Sequence, residues 1–538
     1  MLFLGNASGH DFQFHIASWM DAANQWREGI VYPRWAEWAN WGFGEPRFIF
    51  YPPASWMLGA ALGTVLPWMI VPGVFIWLAL VAGGMSMWKL AREWLPAPFA
   101  RVASVLFAVN PYGLVIVYYR SDFAELLAGA FLPLLIWAAL HVARGDWRRA
   151  PLLAAAFAGI WLSNAPAGVI ATYSLALILL VACARQRSLS PLVPGGVAMA
   201  GGFGLGAGYI LAAAWERRWV QIAQAAADNL NPASNFLFTR ASDPDFVKFN
   251  WKVSWVAVAV MIVTILAAIV ESKRRREFPD MFWPLAALAF VSILLMFPFT
   301  HFVWRVLPEM RFVQFPWRWL EPLAVAFAFF VAAALGRARR PWVAWFAGVI
   351  LGVSIIAAAT AMIRTAWWDS SDVPAMLASI RSGSGYRGTD EYDPLGCDRY
   401  ELPGDPDDLE RVEGVSAVSA QPVEELDSES GDIVPASDVK IHIEKWSAER
   451  REFTAEARQP VTLAVRLLNY PAWDVRMDEK QFQPGAAHDN GEMLVTVPEG
   501  AHRIEAHFRR TWDRAAGDAI SILCAISLLI IVRRKKSP

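Results

Sequence analysis

Long apolar runs without charge alternate with short polar segments over most of the chain. The runs 256–270, 350–362 and 520–532, for example, contain no charged residue, and such segments are more stable in lipid than in water. The pattern predicts a polytopic α-helical membrane protein. Its predicted spans number about eleven and cover residues 71–92, 98–119, 124–141, 151–164, 166–184, 192–215, 254–271, 281–298, 317–336, 341–363 and 515–532. The span at 151–164 is short, and we expect it to be broken or tilted at Pro166.

Basic residues cluster in every second loop between these spans. The clusters are Arg144/Arg148/Arg149, Arg185/Arg187, Lys273–Arg276, Arg337/Arg339/Arg340 and Arg533–Lys536. Because short cytoplasmic loops carry such an excess of Lys and Arg, we expect these loops to face the cytoplasm. The opposite side then receives the longer loops, at 1–53, 120–123, 216–253, 299–316 and 364–514. Segment 54–68 is also apolar, but a span there would reverse the alternation, so it predicts a half-buried or re-entrant helix.

Residues 364–514 follow a different pattern from the transmembrane part, 1–363, and from the last span with its basic tail, 515–538. Turn-rich segments there separate short runs in which apolar and polar residues alternate. The runs are Val439–Ile443, Phe453–Ala457, Val461–Leu467, Trp473–Met477, Met493–Val497 and Ile504–Phe508. This period of two predicts an extracytoplasmic antiparallel β-sandwich before the last span. The insert lacks a metal-ligand spacing or a nucleophile motif, which favours a lid or a recognition domain.

Composition agrees with a membrane protein and narrows its function. The chain has 538 residues, of which 56% are hydrophobic and 18% charged, whereas a soluble domain has about 45–50% apolar and about 25% charged residues. The net charge of −1 gives no indication of a nucleic-acid partner. Of the three cysteines, Cys183 and Cys524 lie in predicted spans and Cys397 is alone in the insert, so no disulfide framework is expected.

The first outside loop contains the first candidate for chemistry, in the segment Gly9–His15. Asp11 lies there among aromatic residues, and partial burial would keep its carboxylate basic enough to accept a proton. The same residue is also well placed to cap an amphipathic helix over Phe12–Trp26, and both interpretations stay open. A divalent cation bound by Asp11 with His10 and His15 is a third alternative, for which two nearby histidines are weak evidence, and no metal site is predicted.

A second candidate cluster lies where one predicted span emerges and the next begins. It contains Arg120, Asp122 and Glu125. Charges at the edge of a membrane are costly, and a functional role is the first hypothesis for them. One arginine between two acids could equally form an ion pair of structural importance only.

A third candidate cluster, Arg311–Glu321, opens a later span on the same predicted side. Arg311 and Arg318 could bind a phosphate through bidentate hydrogen bonds. Alternatively they reach toward lipid head groups, with Arg318 paired to Glu321 one turn away. His301 precedes the cluster on the same face. Three clusters on one side suggest an interfacial cleft that suits a lipid with a phosphate head.

The chain resembles a family of bacterial and archaeal membrane proteins labelled 6-pyruvoyl-tetrahydropterin-synthase-related, which are similar to the GT-C superfamily of polyprenyl-phosphate-sugar glycosyltransferases. The resemblance depends on an ordered set of short motifs, namely Gly9–His15, Phe50-Tyr51-Pro52-Pro53, Asn110-Pro111-Tyr112 with Arg120 and Glu125, Gln314-Phe315-Pro316-Trp317-Arg318, Asn469–Val475 and Pro498–His502. It implies a GT-C-like fold in the bacterial or archaeal cytoplasmic (inner) membrane. The residues themselves indicate no pterin chemistry.

The resemblance also implies an activity. GT-C enzymes have an acidic residue in the first outside loop, and Asp11 matches that position. It would deprotonate an extracytoplasmic glycan or lipid acceptor, which attacks a sugar on a polyprenyl phosphate in the membrane. The substrate-binding residues would be His10, His15, Tyr51, Arg120, Asp122, Glu125, His301, Arg311, Gln314, Arg318 and Glu321, with the arginines facing the leaving phosphate. Two features differ from many GT-C loops, since this sequence has no span before Asp11 and has His10 beside it instead of a second acid.

Two other functions stay open. A flippase or transporter of lipid-linked saccharides would need charges midway along several spans, and the charges here lie at span ends. A non-catalytic envelope assembly protein would use the β-rich insert to bind partners. Replacement of Asp11 by Asn would separate the first function from these two.

Overall fold

The computed structural model describes residues 5–240, 242–273, 275–337, 340–402, 418–420, 439–487 and 490–534. Its helices are α1 (Phe12–Arg27), α2 (Arg47–Phe50), α3 (Pro53–Val65), α4 (Val71–Arg92), α5 (Ala97–Ala108), α6 (Pro111–Val115), α7 (Phe123–Ala143), α8 (Ala150–Ser163), α9 (Ala165–Gln186), α10 (Leu192–Leu205), α11 (Ala207–Glu216), α12 (Pro232–Asn235), α13 (Pro244–Ser272), α14 (Pro279–Leu295), α15 (His301–Val306), α16 (Leu320–Gly336), α17 (Pro341–Thr365), α18 (Asp372–Ser382) and α19 (Trp512–Arg534). A single π-helical turn, Ile116–Arg120, follows α6.

The described residues contain eight helices that are long and apolar enough to cross a membrane, or up to ten if two bent pairs each count as one span. The prediction of about eleven spans is therefore too high. Helix α8 has 14 residues, and at about 1.5 Å per residue it is too short for a hydrocarbon core of about 30 Å. Helices α10 and α11 are bent by 73° at Gly206, and α14 is bent by 97° from the segment Pro298–Val306. Helix α3, in the apolar segment 54–68, has 13 residues and is not a candidate span.

Helices α7 and α16 form the centre of the bundle. Most of each apolar stretch is covered by other helices, 72% for α7 and 83% for Pro316–Gly336. Only 11% of the stretches Trp342–Thr365 and Trp512–Ile531 is covered, so these two helices lie at the periphery, where lipid replaces protein as their solvent. The charged clusters predicted from the sequence lie at the ends of the central helices.

The strands are β1 (Asn6–Ala7), β2 (Trp368–Asp369), β3 (Val418–Ala420), β4 (Val439–Ser447), β5 (Arg450–Ala457), β6 (Val461–Leu468), β7 (Trp473–Met477), β8 (Lys480–Phe482), β9 (Gly485–Ala486), β10 (Glu492–Val497) and β11 (Gly500–Phe508). The six predicted strands of the insert are confirmed, as is their antiparallel pairing. Two sheets are present, with strand orders β3-β6-β10-β9 and β4-β5-β11-β7-β8. Alternate residues such as Phe453, Val465, Val495 and Ile504 are buried in one hydrophobic core to which both sheets and the first loop contribute.

Buried polar contacts join the insert to the helices and to the first loop. Glu216 at the end of α11 accepts hydrogen bonds from Arg514 at 2.6 and 2.7 Å and from the Tyr470 hydroxyl at 2.6 Å. Arg451 of β5 donates to Glu37 of the first loop at 2.9 Å. The insert is therefore fixed to the bundle and to the first loop by contacts from several elements.

The first loop is more deeply buried than the sequence indicated. Helix α1 begins at Phe12 as predicted and ends one residue later, at Arg27, but most of its residues are covered, including Trp19 and Asp21 at 0% exposure. It packs on α3 and on α18 of the insert. Strand β1 pairs with β2, with Asn6 opposite Asp369. The chain is therefore fixed on both sides of Asp11, by β1 before it and by α1 after it.

Candidate functional site

The position of Asp11 is fixed by a close approach between two backbone segments. The Gly9 amide donates to the Ser121 hydroxyl at 3.0 Å, and the Asp11 amide donates to the Arg120 carbonyl at 2.8 Å. A Cβ on Gly9 would lie 2.5 Å from the Tyr119 carbonyl oxygen, so only glycine fits there. Ser121 has a left-handed φ of +54°, which ends the π-helical turn that carries Arg120. Asp11 and Arg120 are thus adjacent although 109 residues separate them.

The carboxylate of Asp11 pairs with an arginine instead of capping its helix. Asp11 lies at the N-cap of α1, but none of the described amides of that helix donates to its side chain. Its Oδ2 accepts a hydrogen bond from Nη2 of Arg120 at 2.9 Å, and its side chain is 36% exposed. The capping alternative for this side chain is therefore wrong. One arginine orients the carboxylate, and part of its surface stays open.

Arg120 and Arg318 share a buried cluster with Asp122 and Glu125. Arg120 donates to Asp122 at 2.9 Å and closely to Glu125. Arg318 donates to Glu125 at 3.0 Å and to Asp122 at 3.4 Å. The Tyr112 hydroxyl completes the cluster with a close hydrogen bond to Glu125. All four charged residues are at most 4% exposed, so each depends on the others for compensation of its charge.

The two arginines of the cluster face its two carboxylates, Asp122 and Glu125. Burial alone would raise the pKa of Asp122, but Arg120, His15 and Arg318 together outweigh that effect and hold this pKa well below its ordinary value. Nε2 of His15 lies 3.7 Å from Asp122. The alternative pairing of Arg318 with Glu321 is wrong, because Arg318 turns toward Asp122 and Glu125, while Oε1 of the buried Glu321 has no hydrogen-bond partner among the described residues. Both arginines are already engaged with acids, so they are less available to a phosphate than the sequence indicated.

Asp11 faces a cavity of about 660 Å³ that has a polar end and an apolar wall. The polar end contains many of the predicted site residues, namely Asp11, His15, Tyr51, Arg120, Asp122, Gln314 and Arg318. The apolar wall comes from helices of the bundle, through Trp161, Val169, Ile210 and Ala213, and from Phe312 of the third cluster. The cavity can therefore accept a molecule with both a hydroxyl-rich part and a hydrocarbon part.

Gln314 connects the floor of this cavity to a neighbouring loop. Its backbone has a φ of +63°, which is strained for a residue with a side chain. Its Oε1 accepts from Arg318 at 3.1 Å, and its Nε2 donates to the Ala225 carbonyl at 2.6 Å. The strained backbone and these two bonds set the side chain at the polar end.

Five predicted site residues lie outside the lining of this cavity, namely His10, Glu125, His301, Arg311 and Glu321. His10 packs on Phe249 with the ring centres 5.0 Å apart. His301 and Arg311 line a second cavity of about 650 Å³. Glu321 lines a small space of about 40 Å³ inside the bundle, next to Glu125. In the described part of the chain, no group of three or more His, Cys, Asp or Glu side chains is arranged to hold a metal ion.

Sequence reasoning missed the contribution of the insert to the cavity. Thr389 and Glu391 line the wall beside Asp11. A network places them, because Thr389 bonds to Glu45 through its amide at 2.8 Å and to Arg47 through its hydroxyl at 3.1 Å. Burial raises the pKa of Glu391 to about 7. The available signal was the acidic stretch Asp390–Asp393, which could not be assigned to the cavity without the fold.

Comparisons with known proteins identify the family. The family model described as "6-pyruvoyl-tetrahydropterin synthase related domain; membrane protein" matches residues 48–364. Searches of the curated proteins and of the solved structures returned no match. The matched segment contains Arg120, Asp122, Glu125 and Arg318, whereas Asp11 and Glu391 lie outside it. Because the match covers more than half of the chain, this multi-pass membrane protein belongs to the 6-pyruvoyl-tetrahydropterin synthase-related family.

Proposed function

We propose that this protein is a membrane glycosyltransferase with a GT-C-like architecture. It moves a sugar from a polyprenyl-phosphate donor to an extracytoplasmic glycan or lipid acceptor, with Asp11 as the general base. One observation carries this proposal. A partly exposed carboxylate on a fixed backbone faces a cavity of about 660 Å³ with a polar end and an apolar wall.

The two sides of the cavity match the two parts of a lipid-linked sugar. Trp161, Val169 and Ile210 belong to helices of the bundle, so the wall that they form suits a hydrocarbon chain. His15, Gln314 and Thr389 at the other end offer hydrogen-bonding groups to sugar hydroxyls. Thr389 comes from the insert. In this proposal the insert covers the outer mouth, and the large loops are extracytoplasmic.

The proposed reaction is a single displacement. The acceptor hydroxyl transfers its proton to Asp11 while its oxygen forms a bond to the anomeric carbon. The bond from that carbon to the phosphate oxygen breaks, and the phosphate leaves with the electron pair, so the configuration inverts. Arg120 is a positioning residue that holds the carboxylate of Asp11 at 2.9 Å. Asp122 and Glu125 hold Arg120 in turn.

The test is an Asp11→Asn variant with a matched control. Asp146→Asn is the control, because Asp146 is also 36% exposed and also pairs with an arginine, Arg149, but lies outside the cavity. Purified proteins in liposomes receive a panel of isoprenyl-phosphate donors with radiolabelled sugars, and sugar release is measured with and without added acceptors. Asp11→Asn should lower turnover by about 10²–10⁴-fold. The control should keep the wild-type rate.

Two results would reject the proposal. The first is a wild-type rate for Asp11→Asn in the presence of a donor that the wild type consumes. The second is movement of intact lipid-linked saccharide across the bilayer without sugar transfer, which would establish the transporter alternative. Melting temperatures of both variants show whether each is folded.

A further inference from the structure

The second cavity is basic and lies directly beside the first. It has a volume of about 650 Å³ and is lined by Arg217, Arg305, Arg311 and His301, with Glu309 as its one carboxylate. Arg217 and Glu309 also line the first cavity. The two spaces therefore share a wall.

The arginines of the two cavities differ in how many carboxylates neutralise their charges. Arg120 and Arg318 bond to buried carboxylates, as described above. In the second cavity, Arg217 pairs with Glu309 at 3.3 Å, both being 48% exposed. Arg305 and Arg311 have no ion pair with any described residue. Their charges stay available to an anion, and guanidinium groups bind phosphate well.

The surroundings of this cavity suggest that the anion belongs to a lipid. Helix α15, which carries His301 and Arg305, belongs to the segment Pro298–Val306, bent by 97° from the span before it. That segment exposes Phe299 (65%), Phe302 (67%) and Val306 (76%). A short helix that presents aromatic and basic side chains, turned away from a span, is typical of a segment in the plane of the membrane surface.

We propose that the second cavity binds the phosphate head group of a membrane lipid, with Arg305 and Arg311 as the charges that bind it. The shared wall places this phosphate next to the cavity of Asp11. That the lipid is the carrier of the sugar donor rests on the proposed function. The phosphate site itself does not, because it is defined by its own residues.

The experiment measures binding to the purified full-length protein in detergent. The probes are a short-chain isoprenyl monophosphate, the corresponding isoprenyl alcohol and inorganic phosphate. The variant is Arg305→Gln/Arg311→Gln, and the matched control is Arg364→Gln/Arg381→Gln, which replaces two exposed arginines outside both cavities. Affinity for the monophosphate should fall about tenfold for each arginine that is lost, and should fall with salt in the wild type. The control should bind as the wild type does.

The outcomes separate this site from the proposed catalysis. Wild-type affinity in the Arg305→Gln/Arg311→Gln protein would overturn the site, and equal affinity for inorganic phosphate would overturn its assignment to a lipid. Asp11→Asn should keep its affinity for the monophosphate, because Asp11 does not line the second cavity. Failure of sugar transfer with intact binding would count against the proposed function alone.

Discussion

Replacement of Arg120 by Gln should destabilise the protein far more than replacement of an exposed arginine. The Arg120 side chain is 5% exposed and pairs with Asp11, Asp122 and Glu125. Its removal leaves Asp122 and Glu125, both buried, with Arg318 as the remaining arginine that pairs with them among the described residues and with His15 near Asp122. Loss of one partner from a buried ion pair costs about 3–5 kcal/mol. Arg149→Gln is the control, since Arg149 pairs with Asp146 at 3.5 Å where both side chains are partly exposed, and pairs open to water contribute about 0–1 kcal/mol.

The assay is denaturant-induced unfolding in detergent at pH 7 and at pH 5. In the wild type, the low pKa of Asp122 means that its stabilising effect is complete above the unfolded pKa of about 3.9 and is lost only below it. Without Arg120, acid protonates the uncompensated carboxylates and relieves their repulsion. The stability difference between wild type and Arg120→Gln should therefore narrow toward pH 5. A loss under about 1 kcal/mol, or a difference that widens on acidification, would refute this account of the cluster.

Three further predictions concern other parts of the fold. Gly9→Ala should lower the unfolding free energy by about 1–3 kcal/mol and reduce the proposed sugar transfer, because the added Cβ would clash with the backbone of Tyr119 and Arg120. Gly196→Ala is the control, since its added Cβ meets open space and should leave the unfolding free energy unchanged or higher. Burial raises the pKa of Glu391 to about 7, so the stability of the wild type should fall as the pH rises from about 4 to about 7. Thermal unfolding at pH 5 and pH 8 measures this fall, which Glu391→Gln should lack. An equal fall in both proteins would contradict the prediction. Glu216→Gln should lower the unfolding free energy by about 3–5 kcal/mol by leaving Arg514 buried without its carboxylate, and Glu216→Gln/Arg514→Gln should recover part of the loss; a double variant less stable than Glu216→Gln would count against the pairing.

The spans and strands could be predicted because each is set by its local surroundings. Lipid requires a long apolar run, and a half-buried sheet requires alternation, so both leave a pattern in consecutive residues. The predicted number of spans was wrong at α8, a mostly apolar helix of 14 residues that neighbours bury but that is not long enough to cross the membrane. Hydropathy reports that a segment avoids water, but not whether protein or lipid covers it.

The candidate site could be predicted in part. Charge alternation placed Asp11, Arg120 and Arg318 on one side, and the structure brings these three residues to one cavity. The sequence could not show that Asp122 and Glu125 compensate the charges of Arg120 and Arg318, because such pairing depends on distances between separate helices. The sequence also could not assign Glu391 to the cavity, because the burial of this residue depends on contacts with residues more than 300 positions earlier.

The pairing of β1 with β2 has a consequence for the synthesis of the protein. Asn6 lies opposite Asp369. The segment before Asp11 therefore finds its pairing strand only in the last third of the chain. A ribosome adds about 5–20 residues per second, so the start of the nascent chain waits about 20–70 s for its partner. During that time the Gly9–Ser121 contact can form without the β1–β2 pairing. Strand β1, which precedes Asp11, stays unpaired until residue 369 has been translated. A newly made molecule therefore acquires its finished site late, after nearly all of its spans have entered the membrane.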